Sequence, residues 1–259
     1  FMPDLTVTLI QTELEWEDVA ANLRRFDRLI GSLPVATDLI VLPEMFTTGF
    51  SMNAAALAEN MNGRAVGWLR ETARRTAAAV VGSIIVIDDG RFYNRLCWAG
   101  PNGEMATYDK KHLFRYAGED QVYTAGSASL LVELKGWKVR PFVCYDLRFP
   151  VWTRNTNRTY DLALFVANWP QRRAEHWKLL LQARAIENQS YVIGVNRVGT
   201  DGNGLYHSGD SSVIDPVGNI LFRSAHAPCV FTLPLERGRL DNYRQSFPAW
   251  KDADQFLLP

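Results

Sequence analysis

Residues Leu39-Ile40-Val41-Leu42 form a short, wholly apolar run that stops at Pro43-Glu44, and no other stretch narrows the possible folds as much. A strand apolar on both faces has to be covered on both faces, which makes it a central strand of a parallel or mixed sheet with helices alongside. The chain around it alternates accordingly. Leu5 to Ile10 reads as a first strand, and Val19, Leu23, Phe26, Leu29, Ile30 and Leu33 fall on one stripe of a helix. Val66, Leu69 and Ala73 predict a second helix, which leads into a strand from Val80 to Val86. Beyond that the pattern turns to hairpins. Pro101-Asn102-Gly103 separates Arg95–Trp98 from Met105–Tyr108, and Asp215-Pro216-Val217-Gly218-Asn219 makes a similar turn later. A mixed sheet is therefore expected.

The second half continues the theme with strands at Val139–Val143, Leu162–Val166 and Tyr191–Val195. A helix from Glu175 to about Ile186 carries Trp177, Leu180, Leu181 and Ala185 on one face. No Gly/Ser/Pro-rich linker, repeat or low-complexity tract divides the 259 residues, so residues 1–259 read as a single α/β domain. So many strands fit two mixed sheets packed together with helices outside, and 47% hydrophobic residues suffice for that core. With 28 basic and 28 acidic side chains, no net field favours nucleic acid or an anionic membrane. Three cysteines, at 97, 144 and 229, match neither a disulfide framework nor a zinc pattern. The opening Phe1-Met2-Pro3-Asp4 lacks the basic-then-apolar order of a signal peptide, and no run approaches the ~20 apolar residues of a membrane span. A cytoplasmic protein is the expectation.

Chemistry enters at Val143-Cys144-Tyr145-Asp146-Leu147-Arg148-Phe149-Pro150, where a cysteine stands at the junction of an apolar strand and a polar turn. A thiol there can project into a cleft while the strand behind fixes it, as a nucleophile requires. The competing reading is a small buried hydrophobe, the usual fate of free cysteine and the one expected of Cys97 and Cys229. Glu44 ends the apolar run at Leu42-Pro43, and Lys110 and Lys111 follow a predicted strand in Tyr108-Asp109-Lys110-Lys111-His112. Each alone reads as a solvated charge. Together, a carboxylate, an amine and a thiol, each just past a strand end, supply a base, an oxyanion stabiliser and a nucleophile for C–N hydrolysis. The histidines at 112, 176, 207 and 226 are scattered, so sequence assigns none of them to Cys144 or to a metal site. Gly199-Thr200-Asp201-Gly202-Asn203-Gly204 lacks the spacing of a dinucleotide-binding loop.

In these segments, and in Arg184-Ala185-Ile186-Glu187-Asn188-Gln189 and Gly209–Gly218, the chain resembles the nitrilase, or carbon-nitrogen hydrolase, superfamily over nearly its whole length. The resemblance implies an αββα sandwich that pairs into a dimer, with no metal or organic cofactor. It places the catalytic residues on Glu44, Lys110 and Cys144, with Glu119 of Ala117-Gly118-Glu119 as an auxiliary carboxylate and Lys111 as an ordinary neighbour. The Tyr145 backbone N–H would join Lys110 in holding the oxyanion. Glu44 and Lys110 are expected to make Cys144 thiolate-like and more reactive than the other two cysteines.

The segment Val166-Ala167-Asn168-Trp169-Pro170-Gln171-Arg172-Arg173 resembles the bacterial omega-amidase branch. That implies omega-monoamides of 2-oxo dicarboxylic acids, such as 2-oxoglutaramate and 2-oxosuccinamate, as substrates. A carboxylate remote from the amide calls for a cation, with Arg173 first and Arg148 second, Trp169 as a further contact and Arg172 solvated. A nitrilase, an N-carbamoyl hydrolase or an aliphatic amidase would share the same catalytic residues, and a non-enzymatic binding protein could retain the fold. The helix bearing Trp177, Leu180 and Leu181 is the expected face of a two-fold homodimer.

Overall fold

The computed structural model describes residues 3–254 and 256. Phe1 and Met2, which bear on the leader-peptide expectation, lie outside them. One sheet has the order β13-β1-β2-β3-β4-β5, built from β1 (Leu5–Gln11), β2 (Leu39–Val41), β3 (Ala79–Asp88), β4 (Arg91–Ala99), β5 (Met105–Asp109) and β13 (Cys229–Leu235). The other runs β10-β11-β9-β8-β7-β6, with β12 (Ile220–Ala225) paired to β11. Its members are β6 (Val132–Leu134), β7 (Trp137–Val143), β8 (Leu162–Ala167), β9 (Tyr191–Asn196), β10 (Val198–Thr200) and β11 (Tyr206–Ile214). Both sheets are mixed, as the turn pattern predicts. β1, β2 and β3 are parallel, as are β7, β8 and β9, whereas the β3–β4–β5 meander and the β11 pairings are antiparallel.

The apolar run at residues 39–42 shows why two faces had to be covered. Successive strand residues point to opposite sides. Leu39 and Val41 pack in the layer between the sheets, with Val7, Val81, Trp98 and residues of the second sheet such as Val139 and Leu162. Ile40 and Leu42 face the opposite way, against Phe26 and Ile30 of α1 (Val19–Gly31) and Val66 and Leu69 of α3 (Arg64–Thr76). Between those helices lies a single-turn α2 (Ala54–Leu57) that the sequence reading omitted. Two further short helices, α4 (Glu119–Val122) and α5 (Pro150–Thr153), flank the loops after β5 and β7.

Helix α6 (Ala174–Asn188) and α7 (Arg237–Ser246) lie with the second sheet. The structure corrects one expectation here. Trp177 and Leu181 are fully buried within the chain itself, where they close over Gly194 of β9 and leave no room for a Cβ. Their indole and isobutyl groups complete this subunit's own core, so they offer no surface to a partner. The exposed apolar side chains of α6 are Leu179 and Ile186. Among the described residues, no helix is long and apolar enough to cross a membrane.

Candidate active site

Four chain segments converge beyond strand ends, three of them at the ends of the parallel strands β2, β7 and β8, where open α/β sheets form clefts. Glu44 follows β2, Lys110 follows β5, Cys144 follows β7 and Asn168 follows β8. Lys110 Nζ donates to Glu44 Oε1 at 2.9 Å and to Glu119 Oε1 and Oε2 at 3.0 and 2.9 Å. Asn94 Nδ2 donates to the same two carboxylates, at 2.8 Å to Glu44 and 3.2 Å to Glu119. Glu44 Oε2 accepts the Asn168 backbone N–H at 2.8 Å, and Asn168 Nδ2 donates to the Glu44 carbonyl. Glu119 also accepts the Phe114 backbone N–H. Glu44, Lys110 and Glu119 are all essentially excluded from solvent, a condition that buried charges tolerate only when paired and hydrogen-bonded.

The electrostatics of this cluster set the protonation states. Burial pulls the Lys110 ammonium down, but Glu119 and Glu44 together outweigh it and hold the amine above its usual value. Glu119 is raised by burial and by the neighbouring Glu44 carboxylate, against the pull of Lys110. Cys144 sits at φ 45° in the left-handed region, a strained conformation for a non-glycine residue that turns its side chain out of the strand direction. Burial followed by the Glu44 charge pushes its thiol well above the ordinary value, with Lys110 only partly offsetting them. This shift runs against the expectation of a thiolate-like cysteine and favours a thiol that holds its proton at rest, with the Glu44 carboxylate as the group to take it.

Above this floor opens a cavity of about 350 Å³ lined by Cys144, Lys110, Phe114, Tyr145, Trp169 and the arginines 148, 172 and 173, among others. Tyr145 packs edge-on to Phe114 and Phe149. Trp169 is held by its N–H to Asn196 Oδ1 at 2.8 Å and its indole N–H to the Arg173 carbonyl at 2.7 Å. The guanidinium of Arg148 lies over the Trp169 ring at 5.2 Å, and that of Arg173 over Phe114 at 5.0 Å. Arg172 is exposed, as expected, yet it stands over Tyr116 at 5.4 Å and still borders the cavity. Burial and its neighbours Arg172 and Arg148 lower the Arg173 guanidinium, which forms no salt bridge among the described residues.

Residues 6–245 match the sequence profile of the carbon-nitrogen hydrolase family. The chain belongs to that family. It is 50% identical to the omega-amidase YafV of Escherichia coli (strain K12), over 99% of this chain and 100% of that one. It is 32% identical to the 2-oxoglutaramate amidase of Bacillus subtilis (strain 168), over 97% of this chain and 98% of the other. Among solved structures it resembles XC1258 from Xanthomonas campestris, a CN-hydrolase superfamily protein with an arsenic adduct in its active site. The TM-score is 0.98 at 45% identity, over 100% of both chains.

Sequence reading missed several residues of this carbon-nitrogen hydrolase site. Asn94 and Asn168 tie down Glu44, and the one available signal for Asn94 was a polar residue inside a strand otherwise turned to the core. Phe50, Met52, Leu205 and His207 line the cavity from distant loops and the β10–β11 hairpin, for which local pattern carries no signal. Burial and then Arg197 hold His207 neutral, down to about 4, and its Nδ1 lies 3.0 Å from the Leu205 carbonyl. Among the described residues no histidine is hydrogen-bonded to Cys144. Of the two cysteines expected in the core, Cys97 is fully buried and pushed up to about 12 by that burial. Cys229 is only half-buried, because β13 is an edge strand.

Proposed function

We propose that this protein is an omega-amidase that releases ammonia from omega-monoamides of 2-oxo dicarboxylic acids, with Cys144 as nucleophile, Glu44 as general base and acid, and Lys110 as oxyanion stabiliser. The observation that carries the reading is the convergence of these three groups beneath a cavity ringed by arginines. Glu44 takes the Cys144 proton as sulfur bonds to the amide carbon. Lys110 and the Tyr145 backbone N–H hold the negative oxygen of the tetrahedral intermediate. Glu44 then passes its proton to the nitrogen, the C–N bond breaks and ammonia leaves an acyl-thioester. Water, deprotonated by Glu44, attacks the thioester; the sulfur departs and recovers its proton, leaving the dicarboxylic acid. Glu119 holds Lys110 in place through both its oxygens.

The distal carboxylate of the substrate is gripped by Arg173, with Arg148 beside it and Trp169 closing the wall. An arginine fork binds a carboxylate through two parallel hydrogen bonds, and this anchor sets the angle at which the amide carbon meets the thiol. The identity to the Escherichia coli and Bacillus subtilis amidases supports the substrate class. Because the site draws Glu44, Lys110 and Glu119 from the first sheet's side and Cys144 and Asn168 from the second's, the whole chain acts as one catalytic domain. A homodimer in a reducing, cytoplasmic setting belongs to the same reading, paired through the Leu179 and Ile186 side of α6. An ammonia-release screen of 2-oxoglutaramate and 2-oxosuccinamate against nitriles, N-carbamoyl amino acids and simple aliphatic amides tests it. The 2-oxo-omega-amides should give the highest kcat/KM, and a preference for any other class overturns the substrate assignment.

A further inference from the structure

The mechanism leaves a fully buried carboxylate beside Cys144 unused. Asp146 lies two residues beyond Cys144, is excluded from solvent and accepts four hydrogen bonds. Oδ2 accepts from the Tyr108 hydroxyl at 2.7 Å and the Val143 backbone N–H at 3.0 Å. Oδ1 faces the His112 backbone N–H at 3.0 Å and His112 Nδ1 at 2.8 Å. The Tyr108 hydroxyl in turn accepts the Trp152 indole N–H at 3.0 Å, and the His112 ring stacks on Phe149 at 3.8 Å. A carboxylate is costly to bury with only a histidine as ionic partner.

We infer that Asp146 is a positioning residue that sets the distance between Lys110 and Cys144. Its anchors bracket both groups. Tyr108, near the end of β5 in one sheet, and His112, on the loop after it, stand two residues either side of Lys110, and Val143 immediately precedes Cys144 at the end of β7 in the other. The packing between the sheets is apolar and non-directional, whereas hydrogen bonds fix separation and angle. Asp146 therefore fastens the ammonium-bearing loop to the thiol-bearing turn. Lys110 is bonded to Glu44 and Glu119, and Glu44 to Asn94 and Asn168, so loosening Asp146 shifts the Cys144 turn against that cluster as a whole.

The inference rests on the proposed roles of Cys144 and Lys110, and the test separates the two. In Asp146→Asn the amide has one accepting oxygen, so either the Val143 or the His112 backbone N–H meets an NH2 group. A misplacement on the order of 1 Å costs about 100-fold, so kcat on 2-oxoglutaramate should fall about that much while KM stays within about threefold. Iodoacetamide labelling of Cys144 should stay within about threefold of parent, because alkylation needs an accessible thiolate but not the alignment of Lys110 with the reacting carbonyl. Parental kcat overturns the inference. So does a loss of kcat matched by equal losses in labelling and thermal stability, which marks a purely structural role. If Asp146→Asn does not fold, Tyr108→Phe removes a single bond to Oδ2 and should lower kcat about tenfold at unchanged KM, and no change overturns the inference. Cys144→Ala is measured alongside; if it retains turnover the nucleophile assignment itself fails, whatever Asp146 does.

Discussion

The floor and the rim of the cavity are built on opposite principles. On the floor Glu44, Lys110 and Glu119 are buried, just past the ends of β2 and β5 and at the start of α4, each joined to the others or to Asn94 and Asn168 by several hydrogen bonds. On the rim Arg148, Arg172 and Arg173 are half-buried or exposed and lean on aromatic rings. A network of that density cannot move one member without stranding another, whereas a guanidinium on an aromatic face can slide at little cost. Reaction chemistry thus sits where the fold is stiffest and substrate choice where it is softest. One floor can serve nitriles, carbamoyl compounds or amides, depending on the rim.

The largest effects should come from the floor, and should not add. Cys144→Ala, Glu44→Gln and Lys110→Ala should each lower kcat by at least about 10³-fold, and any pair should be little worse than one, because they act as a unit. Stability separates them. Cys144→Ala removes a buried neutral thiol and should leave the melting temperature nearly unchanged. Lys110→Ala leaves the Glu44 and Glu119 carboxylates facing each other with no cation, and breaking a buried ion pair in this way costs roughly 3–5 kcal/mol. Additive losses, or a Lys110→Ala protein as stable as Cys144→Ala, would show that the floor is not the coupled unit described.

The rim should respond less and more selectively. Arg173→Ala should reduce kcat/KM for 2-oxoglutaramate by about tenfold, roughly 1.4 kcal/mol of transition-state binding, and Arg173→Lys nearly as much, since the ammonium cannot form the paired grip. An uncharged amide of similar length should be much less affected. Equal loss on both substrates would make Arg173 a structural residue, in keeping with its carbonyl holding the Trp169 indole. Loss in Arg148→Ala but not in Arg173→Ala would move the anchor across the rim.

The same contrast explains what could be read in the sequence. Leu39–Leu42 carried its own instruction, since a strand apolar at every position requires cover on both sides, and α1 and α3 with the second sheet provide it. Glu44, Lys110 and Cys144 became legible only together, as a carboxylate, an amine and a thiol each just past a strand end. The rim left weaker marks. Whether Leu205 and His207 face Cys144 depends on the register of the β10–β11 hairpin and on how two sheets stack, neither of which local periodicity encodes. The burial of Trp177 and Leu181 has the same origin. An apolar helix stripe shows that something covers it, and here the cover is β9 and β11 of the same chain rather than a partner.

The smallest expected effect concerns the reactivity of the resting thiol, and it probes the floor's electrostatics directly. Alkylation needs the thiolate. Burial and the Glu44 charge hold Cys144 well above the usual thiol value, so the protonated, unreactive form persists through neutral pH. Below that value the thiolate fraction rises about tenfold per pH unit. Iodoacetamide labelling of Cys144, followed by peptide mass spectrometry, should therefore climb steadily from pH 7 to pH 9 with no plateau. Cys97 is sealed from solvent, whereas Cys144 borders the cavity, so Cys97 should lag behind it throughout. Half-buried Cys229 is the more accessible thiol and should label ahead of Cys144 at neutral pH. A plateau for Cys144 below pH 8 would mean that Lys110 outweighs burial and Glu44 together. The floor would then hold a preformed thiolate, and Glu44 would act only on the leaving group and the water.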